Sequence, residues 1–153
     1  MRHYPSDSPE ALGRIVALAL MADGAIDPSE LRLLNTEQTI PHLGLDPDRF
    51  DRVFQEFCTD MLGTAHRIPT GQLELDADTI DLLLDEVHKP QLREATLRAM
   101  LDIVHADEQI AIGEAVLVAR AMERWSLDLH QVYMLAARTR HAVPGPKDCV
   151  ADA

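Results

Sequence analysis

The chain has 153 residues, 46% of them apolar and 26% charged; these are the proportions of an ordinary globular domain, and the length suits one domain with a true core. Aromatic residues amount to 4%, so the core has to be built from Leu, Ala, Val, Ile and Met, which favours packed helices over a β-sandwich. A formal net charge of −12 repels nucleic-acid phosphate and anionic lipid, and leaves metal cations and basic protein surfaces as the partners that the field favours.

Residues 1–7 read as a flexible terminus and residues 8–141 as the domain. Ser8-Pro9 opens the first helix with a capping side chain and a proline at the first helical position, and Leu12, Ile15, Val16 and Ala19 mark one apolar face. The run "IVALALMA" at 15–22 is far too short to span a bilayer, and Pro, Asp and Glu rather than a basic leader precede it. Asp23-Gly24 closes this helix, the glycine supplying the freedom that a helix exit commonly uses. Asp27-Pro28-Ser29-Glu30 starts the next one: Asp27 caps, Pro28 takes the first turn, and Glu30 reaches back as a capping-box partner.

Asp46-Pro47 opens a third helix, reaching to about Met61, by the same device. Its face carries Phe50, Val53, Phe54, Phe57, Cys58 and Met61. The stretch 63–77 is a connector with Gly63, Pro69 and Gly71. Further helices are expected near 78–88, from Pro90 to His105, from Ile112 to Trp125, and from Asp128 to His141, while the aperiodic tail 142–153 reads as flexible. No run alternates with a period of two, so the expected fold is all-α: a compact bundle of about seven short helices. Two cysteines, Cys58 and Cys149, do not make a disulfide framework, and a reducing cytoplasm is the expected compartment.

One internal echo stands out. "ADGAIDPSEL" at 22–31 aligns with "ADEQIAIGEA" at 106–115, pairing Asp23 with Asp107, Ile26 with Ile110 and Glu30 with Glu114. Each copy is a turn between two helices, so the chain carries two related helix-turn-helix hairpins. Asp23, Gly24, Ile26, Asp27 and Glu30 also fall on the later positions of an EF-hand loop. That reading fails, because the first and third loop positions need oxygen ligands and hold Ala19 and Met21 in one copy, Ile103 and His105 in the other.

This pair of acidic turns resembles the tellurite-resistance TerB family of compact all-helical domains, over nearly the whole chain. The resemblance implies a helical bundle whose acidic turns hold a divalent cation. It also implies a role in tellurite and other stress responses, often within complexes at the inner face of the membrane. Carried over, the first motif supplies Asp23, Gly24 and Glu30, and the second supplies Asp107 and Glu114. The sequence departs from the family pattern at Glu108, where the second motif usually holds glycine; the change adds a carboxylate.

If the two hairpins face each other across a pseudo-twofold axis, Asp23, Glu30, Asp107 and Glu114 converge from two turns. Carboxylates without cysteine favour a hard cation, Ca²⁺ or Mg²⁺, with waters completing the shell. Asp27, Glu108 and His105 are weaker candidates, and His105 with Asp102 nearby would admit Mn²⁺ or Zn²⁺. The competing reading is turn chemistry. Capping accounts for Asp27 and Glu30 at about 1 kcal/mol each, and the helix dipole favours Glu114 in a first turn. Asp23 and Asp107 have no such excuse, since an acid at a helix C-terminal end opposes the dipole.

Catalytic patterns are not found. No Glu-x-x-His pair for a di-iron site occurs, the seven histidines are scattered, and nucleophile-elbow, phosphate-loop and zinc-knuckle spacings are missing. Cys58 among Phe54, Phe57 and Met61 reads as a buried, inert thiol. The expected function is therefore that of a non-enzymatic TerB-like domain. It would act as a protein-interaction scaffold or sensor in tellurite, metal or envelope stress, with a protein partner and a divalent cation as its ligands, and neither nucleic-acid binding nor membrane insertion is expected. The alternative is a purely structural interaction module whose acidic residues only cap helices.

Overall fold

The computed structural model describes residues 1–22, 39–64, 76–106 and 112–131. These form six α-helices: α1 Pro9–Ala22, α2 Thr39–His42, α3 Pro47–Thr64, α4 Ala77–Asp85, α5 Pro90–Ala106 and α6 Ile112–Trp125. Leu129 to Gln131 begin a further helix, with the Asp128 carboxylate accepting from the His130 N–H at 2.9 Å. No strand occurs among the described residues, and the protein is an all-α bundle. None of its described helices is long and apolar enough to cross a membrane.

The centre of the bundle is α1. Every residue from Ala11 to Leu20 is buried, and α1 packs against α3, α4, α5 and α6. The apolar spacing had suggested a one-faced helix. What the spacing could not weigh is that the residues between the face positions, Ala11, Ala17, Leu18 and Leu20, are themselves apolar, so the helix is hydrophobic all round and belongs inside. Around it, α2 packs on α3 and α5, and α6 packs on α4 and α5. Phe50, Phe57, Ile40, Leu83, Leu84, Leu97 and Met100 fill the spaces between helices.

The helix starts follow the capping residues. Ser8 Oγ accepts from the Ala11 N–H at 3.2 Å, Asp46 Oδ1 from the Arg49 N–H at 2.8 Å, and Asp76 Oδ1 from the Asp78 N–H at 3.4 Å. Each satisfies a backbone donor that the first helical turn leaves without a partner. The α3 face is as expected, with Phe50, Val53, Phe57 and Met61 buried and Phe54 and Cys58 half-buried.

The four-residue α2 was not expected, because so short an element shows no periodicity. Its exit is built on a glycine. Gly44 takes a φ of 79°, the Leu45 N–H bonds to the Ile40 carbonyl and the Gly44 N–H to the Pro41 carbonyl, and Leu45 is buried. This is a Schellman exit with its accompanying apolar contact. The same exit recurs at the end of α6, where the Leu127 N–H bonds to the Met122 carbonyl at 2.9 Å and the Ser126 N–H to the Glu123 carbonyl at 3.3 Å. There the left-handed position, φ 53°, is held by Ser126. Replacing it by glycine removes the steric cost of a Cβ in that region, so Ser126→Gly should stabilise the fold by about 1 kcal/mol in denaturant unfolding.

The segment ahead of α1, read from the sequence as a flexible terminus, lies across the bundle. The Asp7 N–H donates to the Glu86 carbonyl at 2.9 Å, and Asp7 Oδ1 accepts from the N–H groups of His88 at 2.6 Å and Lys89 at 3.1 Å. Asp7 thus caps, from a distance in sequence, the turn that leads into α5.

Candidate functional site

The second of the two expected hairpins is formed by α5 and α6, which pack on each other. In the first, α1 is described to Ala22; the Asp23-Gly24 exit and the second helix lie outside the described residues. So do Asp23, Gly24, Asp27, Glu30, Asp107 and Glu108. Glu114 and His105 are within them.

Two of the helix ends that flank these turns meet. A Cβ placed on Gly113 would lie 2.5 Å from the Ala22 carbonyl oxygen. The first turn of α6 therefore rests directly on the last turn of α1, and only glycine allows backbone to approach backbone so closely. Ala22 immediately precedes Asp23, and Gly113 immediately precedes Glu114. Within that first turn of α6 the side chains divide. Glu114 is 4% exposed and Ile112 is 85% exposed. A carboxylate in a first helical turn lies near the positive end of the helix dipole, which favours its charge where burial would oppose it. His105 is exposed in the last turn of α5, and Asp102, one turn earlier, is half-buried. Among the described residues, no three His, Cys, Asp or Glu side chains gather as a metal-binding group.

A second cluster escaped the sequence reading. Arg14, in the middle of α1, is 1% exposed. Its Nη2 pairs with Glu86 Oε2, its Nη1 donates to the Arg2 carbonyl at 2.5 Å, and its guanidinium lies 4.9 Å from the centroid of the Tyr4 ring, a cation–π distance. The Tyr4 hydroxyl donates to Glu56 Oε2 at 2.6 Å. Arg2 pairs with Glu56 at 3.2 Å and donates its backbone N–H to Asp60 Oδ2 at 2.9 Å. The cause of the oversight is specific. Arg14 is the single charged residue between Ala11 and Ala22, and a helix read as one-faced has a solvent side on which to leave it.

The titrations follow from these contacts. Burial, reinforced by the Glu56 carboxylate that accepts the hydroxyl's hydrogen bond, pushes the Tyr4 phenol up to about 12. The Tyr4 hydroxyl, and behind it the Arg2 charge, hold Glu56 below the usual carboxylate range. The His88 and Lys89 N–H groups do the same for Asp7. Burial raises the Cys58 thiol, whose Sγ sits 3.8 Å from Met21 Sδ, so the thiolate needed for nucleophilic attack is disfavoured.

Along the seam between α4 and α6 two bidentate pairs repeat one turn apart. Arg120 donates to Asp81 at 2.5 and 2.8 Å, and Arg124 to Asp85 at 2.6 Å through both nitrogens. Arg124 also reaches Asp81 at 3.2 Å. Both pairs span the same separation, 39 residues, so α4 and α6 run parallel and in register. Trp125 closes the seam, donating its indole N–H to the Leu84 carbonyl at 3.1 Å. Hydrogen bonds from Arg120 and Arg124 hold the carboxyls of Asp81 and Asp85 below their ordinary values. A depressed folded-state pKa contributes stability that is present above the unfolded value and lost as pH falls through the folded one. Urea unfolding should therefore show stability falling below about pH 4. The fall should be shallower in an Asp81→Asn, Asp85→Asn variant; an equal slope would mean that the seam carries no acid-labile stability.

Comparison of the chain with protein-family models, with curated proteins and with solved structures finds no match.

Proposed function

We propose that this protein is a non-enzymatic TerB-like helical domain that serves as a protein-interaction scaffold or sensor in tellurite, metal or envelope stress, and that its two acidic turns together take up one divalent cation. The observation that carries the reading is the contact between the end of α1 and the start of α6, with Gly113 against the Ala22 carbonyl. Two helix ends that lie 91 positions apart, counted from Ala22 to Gly113, are held together, and each is followed at once by a carboxylate of the repeated motif. This supports a shared site over two separate turns. The four-carboxylate donor set, Asp23, Glu30, Asp107 and Glu114, suits Ca²⁺ or Mg²⁺.

Such a site gives the domain a ligand-dependent surface. Binding to the native state alone stabilises it by mass action, and the stabilisation grows with ion concentration. A protein partner that contacts the same end of the bundle would then meet a different charge with and without the ion. The net charge of −12 directs the choice of partner toward basic surfaces and away from nucleic acid.

The test is calorimetric titration with Ca²⁺, Mg²⁺ and Mn²⁺ of the wild type and of an Asp23→Asn, Asp107→Asn variant. The wild type should give saturable heat at up to millimolar metal and a raised melting temperature, and the variant neither. Absence of both effects in the wild type would leave the acidic turns as helix caps alone.

A further inference from the structure

Residues 2–7 reach three separate parts of the bundle: α3 through Glu56 and Asp60, α1 through Arg14, and the α4–α5 turn through Glu86, His88 and Lys89. We propose that this segment is a strap that docks and releases as one unit, giving the protein an open state distinct from the unfolded one in which the buried Arg14–Glu86 pair meets solvent.

Three features of the closed arrangement support a releasable strap over a permanent layer of the core. First, its anchors are polar. The contacts shown for Arg2, Tyr4 and Asp7 are hydrogen bonds, ion pairs and one ring-over-guanidinium contact. Charge-assisted bonds of this kind are exchanged for bonds to water at modest net cost. Second, closure leaves a debt at Arg14. Its Nε is, among the described residues, the one buried side-chain nitrogen or oxygen without a hydrogen-bond partner. The Tyr4 ring lies over that guanidinium, so lifting the strap lets water reach the orphan donor and offsets part of the bonds lost. Third, the strap is tied to α1 through a strained joint. Asp7 has a φ of 60°, a region costly for a residue with a Cβ, and it relaxes when its bonds to Glu86, His88 and Lys89 break.

The contacts are also linked in series. Glu56 holds Tyr4 and Arg2, the Arg2 carbonyl and the Tyr4 ring hold Arg14, and Arg14 holds Glu86, whose carbonyl takes the Asp7 N–H. Such a chain has few stable half-docked arrangements, because each anchor orients the next. Opening uncovers a cation and its carboxylate partner on α1 and at the end of α4, flanked by Glu56 and Asp60 of α3. A hidden polar patch becomes a presented one without any of the helix packing being disturbed.

Native-state hydrogen exchange on the full chain tests this directly. The Glu56→Gln change is made at one end of the strap and the readout is taken at the other, at the amides of His88 and Lys89. Release as a unit predicts that both amides exchange about fivefold faster in Glu56→Gln, and again in Arg2→Ala, with the amide of Asp7 accelerated alongside. In the wild type the His88 and Lys89 amides should already open at a lower free energy than the α1 amides of Val16 and Leu18, which exchange only when the helices come apart. Unchanged exchange at His88 and Lys89 in both variants would overturn the proposal, since the two ends would then open independently. Opening of His88 and Lys89 in the wild type at the same free energy as Val16 and Leu18 would overturn it as well, because the segment would then leave only when the whole fold comes apart and no separate open state would exist.

Discussion

The Glu86→Ala variant should lose about 3 kcal/mol of stability in urea unfolding. The reason is an asymmetry of burial. The Arg14 side chain is 2% exposed and that of Glu86 18%, so removing the carboxylate strands a guanidinium that water cannot reach while the strap is closed. Removing the arginine leaves a carboxylate that water can reach. Arg14→Met, which keeps an apolar chain of similar length inside α1, should therefore cost less than about half as much. The combined Arg14→Met, Glu86→Gln variant should return to within about 1 kcal/mol of the wild type, because an ion pair replaced as a whole by groups of similar volume is often neutral. Equal losses from the two single changes would show that packing, and not the stranded charge, sets the cost.

Gly113→Ala should cost about 1–3 kcal/mol, the range of a forced overpacking, although alanine is the better helix former. The obstruction is a backbone carbonyl, that of Ala22, 2.5 Å from where the new Cβ would sit, and a main-chain atom cannot rotate aside as a side-chain end can. The first turn of α6 has to move off the last turn of α1. Gly13→Ala makes an instructive contrast. There the near atom, also at 2.5 Å, is Leu45 Cδ1, the end of a side chain that can change rotamer at smaller cost. Under the proposed function, Gly113→Ala should also weaken the heat of Ca²⁺ binding, because it separates the helix ends from which the two acidic motifs continue. Retained binding beside a full loss of stability would mean that this contact serves packing alone.

Most of the fold was legible because the helix punctuation is local chemistry. Ser8-Pro9, Asp46-Pro47 and Pro90 set the starts of α1, α3 and α5, and the spans expected for α5 and α6 ended within a residue of those observed. Periodicity also gave the buried face of α3. What stayed illegible was relational. The central place of α1 depends on how many neighbours it has, which periodicity does not encode. The Arg14 cluster depends on Glu86, 72 residues along the chain, and on the Tyr4 segment folding back over α1. The Asp81, Asp85 and Arg120, Arg124 seam was equally invisible, since i, i+4 charges on two separate helices show a partner only once the helices are seen to run parallel. Of the candidate site, the sequence marked the acidic residues by their repetition. It had no means of showing that Gly113, unremarkable in "IAIGEA", lies against the carbonyl of Ala22.

The most direct test of a cation shared by the two turns is paramagnetic line broadening by substoichiometric Mn²⁺, read in the amide spectrum of the protein. Mn²⁺ takes the same oxygen ligands as Mg²⁺ and Ca²⁺. The account predicts that the amides of Ala22 and Glu114 broaden together at one Mn²⁺ concentration, and that excess Mg²⁺ restores both. Broadening confined to one of the two, or none at millimolar Mn²⁺, would contradict it.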